Sequence, residues 1–246
     1  MIRKNKVIPI ETIKLLVFDL DGTLVDSQVD LANAINAMLR KYQRPELPVA
    51  VIASYIGDGA NMLVRRALGD PADENFVHEA FDIFIRHYRE HTLDNTYAYE
   101  GMIEALRAIR RQTNGNVAMA VLTNKPVSAS QRIVKGLGME DLFVRVYGGN
   151  SFETKKPDPL GALTLLRETS TEPGEAVMIG DSQNDVLTAR NSGMWAVGVT
   201  YGFSPDSLKS PAPDVLIDSP HELVEALGYG SHRKSLEIPS GQGFAG

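Results

Sequence analysis

The sequence predicts an α/β protein in which a mainly parallel sheet carries helices on both faces and is interrupted by an inserted helical segment. Three observations carry this expectation. Apolar, β-rich runs alternate with helical patterns through most of the 246 residues, the arrangement that builds parallel sheets. From Ser27 to Tyr99 the pattern is helical throughout, far more than one crossover helix needs. Several apolar runs also end abruptly in acidic or hydroxyl residues, at the strand ends where open α/β sheets bind ligands.

The first run, Leu15–Phe18, predicts a buried strand that ends in Asp19-Leu20-Asp21-Gly22-Thr23. Asp-Gly is also a hairpin signal, but a hairpin needs a second alternating strand directly afterwards. Leu31, Ile35, Met38, Leu39 and Tyr42 instead recur at helical spacing, so strand, turn and helix fit better. Two carboxylates one residue apart repel unless a cation or proton separates them. A second helix is marked by Met62, Leu63 and Ala67, and a third by Phe76, Ala80, Phe84 and Tyr88. The aromatic and methionine stripes read as core packing, and the whole segment reads as a lid over the sheet's carboxyl edge. His87 and His91 stand four apart but lack the glutamate of a zinc-protease helix, so a solvated face is the better account.

After a helix at Ile103–Arg111, the run Val117–Leu122 ends in Thr123-Asn124-Lys125-Pro126. A hydroxyl and successive N–H groups there suit a phosphate oxygen, although the string is also an ordinary turn before a helix. A helix at Ala129–Leu137 and a strand at Val144–Tyr147 follow. Thr154-Lys155-Lys156-Pro157 then precedes a helix at Leu160–Arg167. Lys156 there suits a transferring phosphoryl group or, read alone, a solvated basic loop. The strand Ala176–Ile179 leads into Gly180-Asp181-Ser182-Gln183-Asn184-Asp185 and a helix at Val186–Asn191. Ser182 suits a helix cap. A charge at a buried strand end needs a partner, and a hard cation between Asp19 and Asp181 supplies one. Strands at Trp195–Val199 and Val215–Ile217 close the pattern, and Ser231–Gly246 reads as a flexible tail.

The chain's formal net charge of −6, with no useful basic run, argues against a nucleic-acid partner. The absence of cysteine excludes disulfides and thiolate metal sites. The Leu15–Phe18 run is too short for a secretory signal, and nothing approaches a membrane span. A cytoplasmic protein is expected.

Taken in order, Asp19-Leu20-Asp21-Gly22-Thr23, Thr123, Lys156-Pro157 and Gly180-Asp181…Asp185 resemble the motifs of the haloacid dehalogenase superfamily. The likeness runs from Leu15 to about Leu227 and leaves out Met1–Ile13 and the tail. It implies a Rossmann-like core formed by 1–26 and 100–228 and an α-helical cap over 27–99, and composition sets 229–246 apart as a tail. Gly57-Asp58-Gly59-Ala60, Arg66-Ala67-Leu68, Thr123 to Pro126, Lys155-Lys156-Pro157 and Thr200-Tyr201-Gly202 are similar to the phosphoglycolate phosphatase subfamily. Relatives acting on pyrophosphate, sugar phosphates and nucleotides share much of this.

The resemblance implies a phosphatase with Asp19 as nucleophile and Asp21 as general acid, then base. Thr123 and Lys156 would hold the phosphoryl oxygens, assisted by backbone N–H groups near Leu20 and Asn124. Mg²⁺ would be held by Asp19, the backbone carbonyl of Asp21 and Asp181, with Asp185 joining that set or orienting Lys156. Arg66 and Lys125 are candidates to pair with a substrate carboxylate, although a surface ion pair accounts for Arg66 equally well. The expected partner is a small phosphorylated metabolite, and the expected state a monomer or homodimer. Asp21 and Asp181 argue against halide release, which needs neither a second acid nor Mg²⁺. The presence of all the proposed side chains argues against a binding module that has lost its chemistry.

Overall fold

A run of four apolar side chains that ends in turn residues suits a short strand covered on both faces. In the computed structural model, which describes residues 1–229, Leu15, Leu16, Val17 and Phe18 are all fully buried. The expected tail lies, from residue 230 onward, outside the described residues.

In chain order, β1 (Arg3–Lys4) and β2 (Leu15–Phe18) precede β3 (Val25–Asp26). Four helices follow: α1 (Gln28–Lys41), α2 (Val49–Ala53), α3 (Ala60–Ala67) and α4 (Glu74–Glu90). β4 (Tyr97–Ala98) brings the chain back antiparallel to β3, with Val25 opposite Ala98 and Asp26 opposite Tyr97. Helix and strand then alternate through α5 (Met102–Gln112), β5 (Ala118–Leu122), α6 (Val127–Gly136), β6 (Arg145–Tyr147) and α7 (Leu160–Glu168). The series ends with β7 (Ala176–Gly180), α8 (Gln183–Ser192), β8 (Trp195–Val199), β9 (Val215–Ile217) and α9 (Glu222–Ala226).

The main sheet runs β1-β9-β8-β7-β2-β5-β6. Every pair is parallel except β1 with β9. Leu15 pairs with Ala118 on one side and Ala176 on the other, which sets β2 between β5 and β7. The chain builds outward to β6 and then re-enters beyond β2 through β7. The strand order therefore reverses at β2, and the crevice lies at the carboxyl ends of β2, β5 and β7.

Alternate residues of β2 feed opposite faces, as the pleat requires. Leu16 and Phe18 join Met102 and Leu106 of α5 and Ile133 of α6. Leu15 and Val17 join Leu165 of α7 and Val186 of α8. The inserted helices have an apolar cluster of their own, in which Leu31, Ile35, Met38 and Leu39 of α1 meet Phe84 and Tyr88 of α4. Asp73 caps α4 by accepting from the N–H groups of Asn75 and Phe76 at 3.0 and 3.2 Å.

The structure adds what short elements hide. A brief strand, β3, stands between the Asp-Gly turn and α1, and it pairs with β4 rather than folding back on β2. The insert holds a fourth helix, α2, too short to show periodicity. β1 is a polar, exposed edge strand in a segment outside the family likeness. Among the described residues, no helix is long and apolar enough to cross a membrane.

Candidate active site

β2 delivers Asp19 into the crevice, where the side chain is almost wholly buried. Its Oδ1 accepts from the Leu20 N–H at 2.7 Å and pairs with Lys156 Nζ at 2.9 Å. The Leu20 N–H, expected to meet a phosphoryl oxygen, is thus turned onto Asp19 because the two are neighbours at the strand end. Lys156 is itself buried and also donates to Asp185 Oδ1 at 2.6 Å. Burial pushes the Asp19 carboxyl up to about 6; the Lys156 charge opposes the rise and that of Asp185 adds to it. Lys156 stays above the usual lysine value, because Asp185 and Asp19 outweigh the cost of burying its charge.

Asp181 follows β7 into the same crevice. Its Oδ2 accepts from the Phe203 and Ser204 N–H groups at 2.7 and 3.3 Å. Burial, then the charges of Asp185 and Asp19, push its carboxyl well above the ordinary range. The close approach needs glycine at position 22, whose φ is +78°. A Cβ there would stand 2.3 Å from Asp181 Oδ2.

One carboxylate oxygen each from Asp19, Asp181 and Asp185 lies within 4.8 Å of the other two. Lys156 contributes one positive charge against these three acids, so the cluster stays anionic unless protons or another cation join it. Buried oxygen donors of this kind fit a hard divalent cation. Asp185 has both oxygens engaged, Oδ1 with Lys156 and Oδ2 with the Ser182 N–H at 3.1 Å and hydroxyl at 2.8 Å. Of its two expected duties, these contacts favour orienting Lys156 over holding metal. Asp19 and Asp181 are the better-placed donors.

Asp21 turns to the opposite wall, where its carboxylate accepts from Ser27 Oγ at 2.5 Å and from Lys125 Nζ at 2.9 and 3.0 Å. Lys125 is buried, which works to strip its proton. Asp21 and the Tyr88 oxygen outweigh that, and the pKa stays above the usual lysine value. Its Nζ lies 4.7 Å from the centre of the Tyr88 ring. Thr123 and Asn124 follow β5, and both are buried. Asp19, Asp21, Thr123, Asn124, Lys125 and Asp181 line one cavity beneath the inserted helices.

The loop before α3 crosses that cavity. Gly57 O accepts from Asn124 Nδ2 at 2.9 Å, Asp58 Oδ1 from Asn184 Nδ2 at 2.9 Å and Asp58 O from Lys155 Nζ at 3.2 Å. Arg66 takes the ion-pair reading that the sequence left open beside substrate binding. Its guanidinium binds Asp58 Oδ2 and, at 3.0 Å, Tyr55 O, so it braces this loop and does not line the cavity. A nearby acid and a free carbonyl have captured it. Tyr88, read from sequence as core, is the reverse case: it packs on Phe84 with ring centroids 5.7 Å apart and also forms cavity wall. The His87 and His91 rings are adjacent, but His91 pairs with exposed Asp94 and neither belongs to the acidic cluster.

A family model described as haloacid dehalogenase-like hydrolase matches residues 16–199. A phosphoglycolate phosphatase from Psychrobacter arcticus is 38% identical over 223 residues, which cover 87% of this chain and 95% of that protein. One from Photobacterium profundum is 36% identical over 224 residues, covering 88% and 96%. The crystal structure of a predicted phosphoglycolate phosphatase from Haemophilus somnus matches with a TM-score of 0.81 and 31% identity. It covers 87% of this chain and 97% of that one.

Proposed function

The chain belongs to the haloacid dehalogenase-like hydrolase family and is a phosphatase, and from that premise we propose that it hydrolyses 2-phosphoglycolate to glycolate and phosphate with Mg²⁺. The observation that carries the reading is the buried lysine–carboxylate cluster at the reversal of the strand order, where Asp19 meets Lys156 and faces Asp181.

An Asp19 oxygen attacks phosphorus as the bond to the leaving oxygen breaks, giving an aspartyl-phosphate. Lys156 holds a phosphoryl oxygen and keeps Asp19 charged, while the Thr123 hydroxyl and the Asn124 N–H receive the other oxygens. Asp21 passes a proton to the departing alkoxide. It then takes one from the water that attacks phosphorus and frees Asp19. Ser27 and Lys125 hold Asp21 in place for both transfers. Asp19 and Asp181, with the backbone carbonyl of Asp21, would hold Mg²⁺, whose charge offsets that of the phosphoryl group. The preference for 2-phosphoglycolate rests on the named relatives and on Lys125 as a cation facing the leaving group. An acidic, cysteine-free chain of this kind suits the cytoplasm.

Phosphate release tests the reading, with 2-phosphoglycolate, pyrophosphate, sugar phosphates and nucleotides compared at equal concentration. The expected result is the highest kcat/KM on 2-phosphoglycolate, lost in EDTA and restored by Mg²⁺. Undiminished activity in EDTA would remove the metal from the mechanism, and a stronger preference for another member of the panel would replace the substrate.

A further inference from the structure

The inserted helices meet the cavity with an almost wholly apolar surface: Leu31, Ile56, Ala60, Leu63 and Phe84, together with glycine backbone. Tyr88 is the exception. Among the described residues, it is the insert's one contribution to the wall that carries a polar side-chain atom. The residue is 1% exposed and, although Lys125 lies near its oxygen, among the described residues nothing accepts its hydroxyl proton. A buried hydroxyl without an acceptor is costly, so its survival in a cavity wall points to an acceptor that arrives with the ligand.

The surroundings indicate what kind of partner. Lys125 Nζ lies over the Tyr88 ring, 4.7 Å from its centre, and its charge is balanced here by Asp21. An anionic group placed beside Lys125 and Tyr88 would share the lysine's charge with Asp21 and supply the acceptor that the hydroxyl lacks. The insert's other wall residues are apolar and offer little to the several hydroxyls of a sugar phosphate.

We propose that Tyr88 determines specificity by donating a hydrogen bond from its hydroxyl to a carboxylate on the leaving group, beside Lys125. The substrates selected are short phosphomonoesters whose alcohol part bears a carboxylate. This rests on the phosphatase reading above and adds to it a contact made by the insert, with no part in bond breaking.

The test compares wild type with Tyr88→Phe on 2-phosphoglycolate and on ethyl phosphate, which has similar size and no carboxylate. The readout is the ratio of kcat/KM for the first substrate to that for the second. Tyr88→Phe should lower this ratio about tenfold or more, with a thermal midpoint unchanged or raised because no hydrogen bond is lost. An unchanged ratio overturns the proposal, and an unchanged ratio with a lowered midpoint assigns Tyr88 to packing. If wild type cleaves ethyl phosphate but not 2-phosphoglycolate, both the carboxylate contact and the substrate assignment fail. If wild type prefers 2-phosphoglycolate and Tyr88→Phe keeps the same ratio, the Tyr88 contact alone fails.

Discussion

Lys156 has two duties that separate cleanly in a mutant. It neutralises Asp19 at 2.9 Å and Asp185 at 2.6 Å, both of them buried, and in the proposed chemistry it also holds the transferring group. Lys156→Ala should therefore lower kcat about 100-fold or more. It should also cost about 3–5 kcal/mol of stability, because two buried acids lose their counter-charge. Steady-state kinetics and urea unfolding check the pair; a change confined to KM would make Lys156 a ground-state binding residue. Asp19, Asp181 and Thr123 could be singled out from sequence because each interrupts an apolar run at a predicted strand end. Tyr88 could not be placed, since what a side chain meets across the fold is decided by tertiary packing, and for Arg66 nothing in the sequence chose its ion pair over a substrate carboxylate. At helical spacing with Phe84, Tyr88 has the pattern of any core aromatic.

Elements differ in how openly they announce themselves. β8 and β9 have the same bounds as their apolar runs, because strands buried on both faces need unbroken apolar sequence. The β3–β4 ribbon has only two residues per strand and no periodicity to read. Just before β9, Asp214 is fully buried, and its carboxylate binds Arg190 at 2.6 and 3.0 Å and the Ala196 N–H at 2.9 Å. Burial alone would raise its pKa; Arg190, the Ala196 N–H and Lys6 outweigh burial and hold it below the usual value. A depressed folded-state pKa contributes stability above the unfolded value, and that contribution disappears as pH falls through the folded value. Asp214→Asn should thus lose about 2–3 kcal/mol at neutral pH, and the gap to wild type should close below about pH 4. A gap independent of pH in denaturant titrations would show that shape, and not charge, is what Asp214 supplies. The turn after β2 makes a further prediction. Gly22→Ala combines a positive φ with the 2.3 Å approach to Asp181, so both activity and stability should fall, the latter by about 1 kcal/mol or more; an active, equally stable variant would show that the turn yields easily.

Across the whole molecule, the crevice of the sheet and the inserted helices make one compartment. The insert reaches the core through Gly57 and Asp58, which Asn124, Lys155 and Asn184 hold from below. Asn184→Ala removes one of these tethers without touching the acidic cluster's hydrogen bonds. Faster amide exchange around Gly57–Gly59 and a severalfold lower kcat/KM are expected, whereas unchanged exchange would show that the remaining contacts suffice. The alternation of strands and helices made the crevice's position legible, but the tethers depend on single side chains meeting across it. Attack of Asp19 on phosphorus is the step on which the proposed chemistry depends. Phosphate release from 2-phosphoglycolate by Asp19→Asn, with its fold verified by circular dichroism, tests it most directly. A rate at least about 10⁴-fold below wild type is predicted; a rate within tenfold of wild type would contradict it.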